Sequence, residues 1–307
     1  MNVTDINLDD LTPDQLSEVQ NDLQRKLDVY MRHVVAIAGV YETRSANGLQ
    51  PQTPFYFSAT VVEVDDERYF LAAGHALEDI ETIVKHSDAK LVRCGIDDTF
   101  LHKNDSRPFD FDYSAAARKV HYNSVFHDGL DYALIHIRPY YHKLLAANGI
   151  VPLTVNDWAP SAIAACTTFL MAGFPNDSID GCITHHGDYY RARVKGNPSF
   201  IFIERGVSDA QTQFARFVGQ IRPEHHVGDI TGMSGGPIFC FKDADFDPYY
   251  VAGIQSKWNP ATRTIFACPI KYNRHPCSQI SPRMCQLTIM WPLPFTLSLS
   301  CNLVTIQ

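Results

Sequence analysis

The feature that most constrains this chain is a succession of short apolar and β-branched runs, broken by turn residues at close intervals. They fall at Val34–Val40, Phe55–Val64, Tyr69–Ala73, Lys90–Cys94, Tyr132–Ile137, Phe169–Ala172, Tyr190–Val194, Phe200–Ile203, Phe214–Ile221, Pro237–Phe241, Tyr250–Gln255 and Thr264–Ile270. Runs this short suit strands rather than helices, and many of them in series predict an all-β barrel or sandwich. Asp65-Asp66-Glu67-Arg68 separates two runs and reads as the turn of a hairpin. Ser87 to Phe126 is polar and irregular and reads as an elaborated loop.

Two helices interrupt the pattern. Thr12 can cap, Pro13 suits a first helical position and Gln15 completes a capping box. Leu16, Val19, Leu23, Leu27 and Tyr30 then recur at helical spacing, which predicts a helix over 13–32 packed on the body that follows. A shorter helix, Tyr140 to Ala147, ends at Asn148-Gly149, a natural C-terminal stop. Residues 286–307 carry no charge, which raises the question of a membrane segment. Pro292, Pro294 and the alternation of Phe295, Leu297, Leu299, Cys301 and Leu303 with polar residues favour a strand.

With 307 residues, 45% of them apolar, a sizeable core is expected, and a net charge of −8 without basic clusters argues against a nucleic-acid binder. Met1-Asn2-Val3-Thr4-Asp5 has neither a basic start nor an apolar run. A cytoplasmic setting with free thiols is therefore the expectation for the eight cysteines. His275, Cys277 and Cys285 fit no standard zinc spacing, and nothing in the sequence calls for a metal or another cofactor.

Chemistry concentrates in Asp229-Ile230-Thr231-Gly232-Met233-Ser234-Gly235-Gly236-Pro237. A serine between glycines on a tight turn projects its hydroxyl, and neighbouring N–H groups can converge beside it; a plain glycine-rich hairpin turn is the bland alternative. A serine nucleophile needs a base, usually a histidine, and a carboxylate to orient that histidine. Of thirteen histidines, His75 stands out, in Ala73-Gly74-His75 directly after an apolar run. The pairs His185-His186 and His225-His226 lie in polar segments and read as surface residues. Asp131 opens the run Tyr132-Ala133-Leu134-Ile135, with Asp128 as the competing acid.

These segments, in the order His, Asp, Ser, resemble the trypsin/chymotrypsin-like serine peptidase superfamily: Ala73-Gly74-His75, Asp131-Tyr132-Ala133-Leu134 and Gly232-Met233-Ser234-Gly235-Gly236-Pro237. Met171-Ala172-Gly173-Phe174-Pro175 and Val251-Ala252-Gly253-Ile254-Gln255-Ser256-Lys257-Trp258 are similar to further family segments, and the match is closer to bacterial intracellular members. The resemblance implies two six-stranded antiparallel β-barrels with the site in the cleft between them. The expected division is a helical segment at 1–33, a first barrel at 34–150 with His75 and Asp131, a second at 151–275 with Ser234, and an extension at 276–307.

It further implies Ser234 as nucleophile, His75 as general base and then acid, and Asp131 orienting His75. Gly232 and Ser234 would supply the oxyanion-binding N–H groups, and Ser256 would support Asp131 through a hydrogen bond. Gly228, Asp229, Gln255, Lys257 and Trp258 would contact the substrate; Asp229 would favour a basic side chain where it faces the primary pocket, the alternative being that it turns outward with Lys257 as a neighbour. Ala76 and Met233 replace the cysteine and the aspartate found in secreted members, so neither their disulfides nor their zymogen switch is expected. A protein or peptide substrate is the implied partner, and control by a regulatory protein stays open. The activity implied is that of a serine endopeptidase; a silent or partner-activated binding module on the same fold is the alternative.

Overall fold

The computed structural model describes residues 12–45, 48–51, 55–85, 89–98, 100, 108–122, 129–158, 160–186, 189–207, 216–222, 228–242 and 248–270. The first element is the predicted helix, α1 (Pro13–Met31), and both arms of the Thr12/Gln15 capping box are formed. Strands β1 (Val34–Ser45), β2 (Gly48–Pro51), β3 (Phe55–Val64) and β4 (Glu67–Ala72) follow, then helix α2 (Gly74–Lys85). Next come β5 (Ala89–Asp97), β6 (Phe109–Asp110), β7 (Arg118–Tyr122), β8 (Asp131–His136) and helix α3 (Pro139–Ala147). The second half contributes β9 (Thr168–Gly173), β10 (Ile179–His186), β11 (Tyr189–Gly196), β12 (Ser199–Arg205), β13 (Phe217–Ile221), β14 (Pro237–Phe241), β15 (Tyr249–Asn259) and β16 (Thr264–Cys268).

The strands make two bodies. β12-β13-β16-β15-β14-β9 closes on itself as a six-stranded antiparallel barrel. The first half is one eight-stranded sheet, in the order β6-β5-β1-β3-β4-β8-β7 with β2 paired to β1. The expected second closure is not seen among the described pairings of that sheet. β10 and β11 form a separate hairpin. One apolar cluster runs through the first sheet and continues into the face of the barrel at Phe239, Phe241, Val251 and Ile254. A second, including Met171, Ile230, Met233, Ile238 and Ile265, fills the barrel. The two bodies therefore share a core, and parts of the chain lying at their junction are held from both sides.

Local chemistry explains most elements. Asp65 and Asp66 both adopt positive φ (52° and 66°), the geometry of a tight hairpin turn between β3 and β4. α3 ends where Gly149 takes φ 85° and the Ile150 N–H returns to the Leu145 carbonyl at 2.9 Å. Within Ser87 to Phe126, expected as a loop around the run Lys90–Cys94, that run extends to the whole of β5, and β6 and β7 are added. β7 carries Arg118 and Lys119 and is half-exposed along its length, which dilutes the apolar signal of a strand. The proposed tail strand, His225-His226 and the side chains of His185 and His186 lie outside the described residues.

The end of α1 is fixed by a buried polar joint. Tyr30 packs its ring against Phe239, Phe241 and Tyr249, with centroids 5.3, 5.3 and 5.4 Å away. Beside it, the His33 Nδ1 donates to the Val151 carbonyl at 2.6 Å. A carbonyl can only accept, so Nε2 is the acceptor, and it takes the Tyr249 hydroxyl at 2.6 Å and Arg32 Nε at 3.2 Å. Burial, reinforced by the Arg32 charge, outweighs the Val151 bond and lowers the His33 pKa to about 4.

This joint makes a prediction. Between pH 6.5 and about 4 the unfolded chain holds a proton on His33 that the folded chain does not. Stability should therefore fall as pH drops through that window, by about 3 kcal/mol from this group. Urea unfolding midpoints across the window are the measurement, and His33→Gln should flatten their pH dependence.

Candidate active site

His75 and Asp131 meet because β4 and β8 are neighbours, with Leu71 opposite Leu134 and Ala72 opposite Ala133. Continuing that register brings the chain after Ala72 alongside Asp131, the first residue of β8. Gly74 is the bend that allows it: a Cβ there would stand 2.7 Å from the His121 carbonyl oxygen and 2.9 Å from that of Tyr132. The small residues before His75 are thus a packing requirement.

Asp131 then receives His75 at two points. The His75 backbone N–H donates to Oδ1 at 2.9 Å and its ring Nδ1 to Oδ2 at 2.7 Å. The backbone N–H is one of the unpaired donors at the start of α2, so the carboxylate also caps that helix from a neighbouring strand. With Nδ1 carrying the proton, Nε2 keeps its lone pair. Burial pulls the His75 pKa down, but the hydrogen bond and charge of Asp131, with the charge of Asp79, raise it overall above 6.5. Tyr122, 41% exposed, stands edge-on to the imidazole with centroids 5.9 Å apart.

Ser234, half-buried, lies on a turn whose shape is fixed by glycines and by β3. Gly232 and Gly235 take φ 95° and 98°, which side chains other than glycine rarely adopt. A Cβ on Gly235 would stand 2.1 Å from the Ser58 carbonyl oxygen and 3.0 Å from Ala72 Cα. That places the residue after Ser234 directly against the strand end that leads into His75. Ser58 and Thr60 hold the turn: the Ser58 N–H and hydroxyl both donate to the Gly232 carbonyl at 2.9 Å, and the Thr60 hydroxyl donates to that of Gly235 at 2.9 Å. The Ser58 hydroxyl also accepts the Phe174 N–H at 2.8 Å.

The backbone donors of the turn are unevenly used. Met233 N–H bonds to Ile230, Gly235 N–H to Gln255 and Gly236 N–H to Met233, at 3.0, 2.9 and 2.9 Å. The N–H groups of Gly232 and Ser234 donate to no described residue. No hydrogen bond joins the Ser234 hydroxyl to His75 among the described residues. The structure therefore unites His75 with Asp131 and sets the Ser234 turn against the same strands, without a direct bond between the two groups.

The other candidates are distributed around this centre. Gln255 and Ser256 are buried on β15, and the Gln255 backbone pairs with Gly235 and Gly236. The pairing of β15 with β16 slips between Gln255 and Lys257, so Ser256 is an inserted residue. Its hydroxyl donates to the Phe266 carbonyl at 3.3 Å, and no bond from it to Asp131 is among the described hydrogen bonds. Cys268 stands against Asp131 instead, its Sγ 2.9 Å from the Asp131 N. Lys257 is exposed with its Nζ 5.9 Å from the Phe266 ring centroid, and Trp258 packs on the barrel core. Gly228 and Asp229 are exposed, and the Asp229 Oδ1 accepts the Thr231 N–H and hydroxyl at 2.9 and 2.6 Å. Asp128 lies outside the described residues. No group of three or more metal-ligating side chains occurs among the described residues.

Ser58, Thr60, Tyr122 and Cys268 were not singled out by sequence reasoning. A signal existed for the first two. Two hydroxyls at alternate positions of the apolar run Phe55–Val64 share one face of a strand and, once buried, need partners.

No protein-family model and no curated protein matches the chain. Solved structures do resemble it. Tobacco vein mottling virus protease is 11% identical with a TM-score of 0.39, over 79% of each chain. A chain from a structure describing the coupled folding and binding of the Sesbania mosaic virus VPg protein is 9% identical with a TM-score of 0.37, over 75% of this chain and 85% of that one. A catalytically inactive tobacco etch virus protease complexed with substrate is 9% identical with a TM-score of 0.34, over 76% and 78%. All three are viral, not bacterial. Similarity at this level carries no argument about activity.

The clamp on the turn is testable. Ser58→Ala leaves the buried Phe174 N–H without an acceptor and should cost about 2 kcal/mol. Gly235→Ala combines a disfavoured φ with a backbone clash and should cost at least about 2 kcal/mol. Urea denaturation of both variants is the check.

Proposed function

We propose that this chain is a serine endopeptidase that cleaves peptide bonds through an acyl-enzyme. The observation that carries the reading is the two-point hold of Asp131 on His75, which fixes the imidazole with Nε2 free to act as base. The turn bearing Ser234 packs against the strand end leading to that imidazole, which supports the pairing of base and nucleophile. The N–H groups of Gly232 and Ser234, which donate to no described residue, support an oxyanion-binding role.

In this mechanism the Ser234 oxygen attacks the peptide carbonyl carbon while His75 Nε2 takes its proton. The carbonyl oxygen becomes an oxyanion held by the N–H groups of Gly232 and Ser234. His75 returns the proton to the departing amine nitrogen, the C–N bond breaks, and an ester to Ser234 remains. A water then gives a proton to His75 and attacks the ester; the bond to the Ser234 oxygen breaks, His75 passes that proton to it, and the acid product leaves. Asp131 stabilises the imidazolium in both steps. An extended substrate would pair with the backbone of Ser256 to Trp258, as an added strand. Asp229 keeps one carboxylate oxygen free of Thr231, which is compatible with a basic preference at the cleavage site.

A second reading is a silent or partner-activated peptide-binding module, and the missing Ser234–His75 hydrogen bond favours it. Catalytic hydrogen bonds often tighten only in the substrate complex, so that bond alone does not decide. No described helix is long and apolar enough to cross a membrane.

The test is hydrolysis of a degenerate peptide library, read by mass spectrometry. Ser234→Ala and His75→Ala should each lower turnover by about 10⁶-fold, and Asp131→Asn by about 10⁴-fold. Only neutral His75 is a base, so kcat/KM should rise with pH through a midpoint above 6.5. Cleavage unaffected by Ser234→Ala would refute the nucleophile. Cleavage only in the presence of a cell lysate would select the partner-activated form. Cleavage sites without Lys or Arg enrichment would remove the role given to Asp229.

A further inference from the structure

We infer that Cys268, a buried thiol on the second barrel, is the residue that positions Asp131 and through it sets the base strength of His75. The inference rests on the peptidase reading for its consequence in catalysis, but its geometry is independent of it.

Asp131 has its carboxylate committed to His75, and its main chain, opposite Tyr122 at the end of the β7–β8 pairing, meets a further side chain from the barrel. Cys268 ends β16 and is 2% exposed. Its sulfur accepts the Asp131 N–H at 2.9 Å. Its S–H faces two carbonyl oxygens, that of Asp131 at 3.3 Å and that of Gly129 at 3.5 Å, and has one proton to share between them. Both polar groups of the Asp131 main chain are thus met by one side chain from the opposite body. Gly129, just before, takes φ 92°, so the entry into β8 is itself a bend that needs such an anchor.

The thiol also fits electrostatically. Burial, with the Asp131 charge next, pushes the Cys268 pKa up to about 12, so the group stays neutral beside the carboxylate. A thiolate there would repel Asp131 and lose the S–H donor. Ser256, given this supporting role by the family resemblance, lies one step back: its hydroxyl goes to Phe266 and stands beside the Cys268 thiol. The slip in the β15–β16 pairing turns Ser256 toward β16, and the thiol of β16 takes the place against Asp131. Cys268 touches neither substrate nor reacting atoms; it acts on Asp131.

The experiment compares Cys268→Ala with Cys268→Ser in the full chain, since both remove similar volume and only serine keeps a donor and an acceptor. The readouts are the His75 pKa by NMR titration of the imidazole, and kcat and KM on a peptide found to be cleaved. Cys268→Ala should lower the His75 pKa and reduce kcat by about tenfold with KM unchanged. Cys268→Ser should restore both toward wild type. Should Cys268→Ala not fold, Cys268→Ser alone decides: a retained high His75 pKa supports the inference and a lowered one overturns it. A wild-type His75 titration in Cys268→Ala, or a serine variant no better than alanine, also overturns it. A chain that cleaves nothing defeats the peptidase reading and still leaves the His75 titration to judge Cys268.

Discussion

Two buried hydroxyls on one strand, Ser58 and Thr60, hold the turn that carries Ser234. They reach across from the first sheet to the carbonyls of Gly232 and Gly235 on the second body. Buried carbonyls need partners, and here the partners come from the opposite half of the molecule. The turn is therefore fixed relative to β3, and β3 pairs with β4, which leads to His75. A local turn in the second half and a strand end in the first become parts of one rigid arrangement. The glycines follow from this closeness, since a side chain on Gly235 would collide with the backbone of β3.

Asp131 is the second junction. It caps α2 and orients the His75 ring through its carboxylate, while Cys268 of the barrel meets its main chain. Burial alone would weaken His75 as a base, and the carboxylate reverses that effect. The shared core behind these contacts resists any sliding of one body on the other. His33, Tyr249 and Tyr30 repeat the pattern at the far side, tying α1 to the barrel through buried polar and aromatic contacts.

The strand runs were legible because apolar β-branched residues mark buried strands, and β3, β4, β8, β14 and β15 all lie in or against the shared core. α1 was legible from its capping box. β5 was legible only over Lys90–Cys94, β7 was hidden by Arg118 and Lys119 on a half-exposed strand, and α2 by its start immediately after a strand. The candidate site was legible as three motifs, because the small residues before His75 and the glycines around Ser234 are required by close backbone approach. The exchange of Ser256 for Cys268 beside Asp131 was not legible. It depends on a one-residue slip between β15 and β16, and a register slip leaves no mark in composition.

The proposed chemistry depends at every step on activation of the Ser234 hydroxyl by His75. Its most direct measurement is the intact mass of the full chain after exposure to a fluorophosphonate, with peptide mapping of the adduct. One adduct is expected, on Ser234, abolished in His75→Ala and formed faster as pH rises above 6.5. An unmodified chain, or an adduct on any other serine, would contradict it.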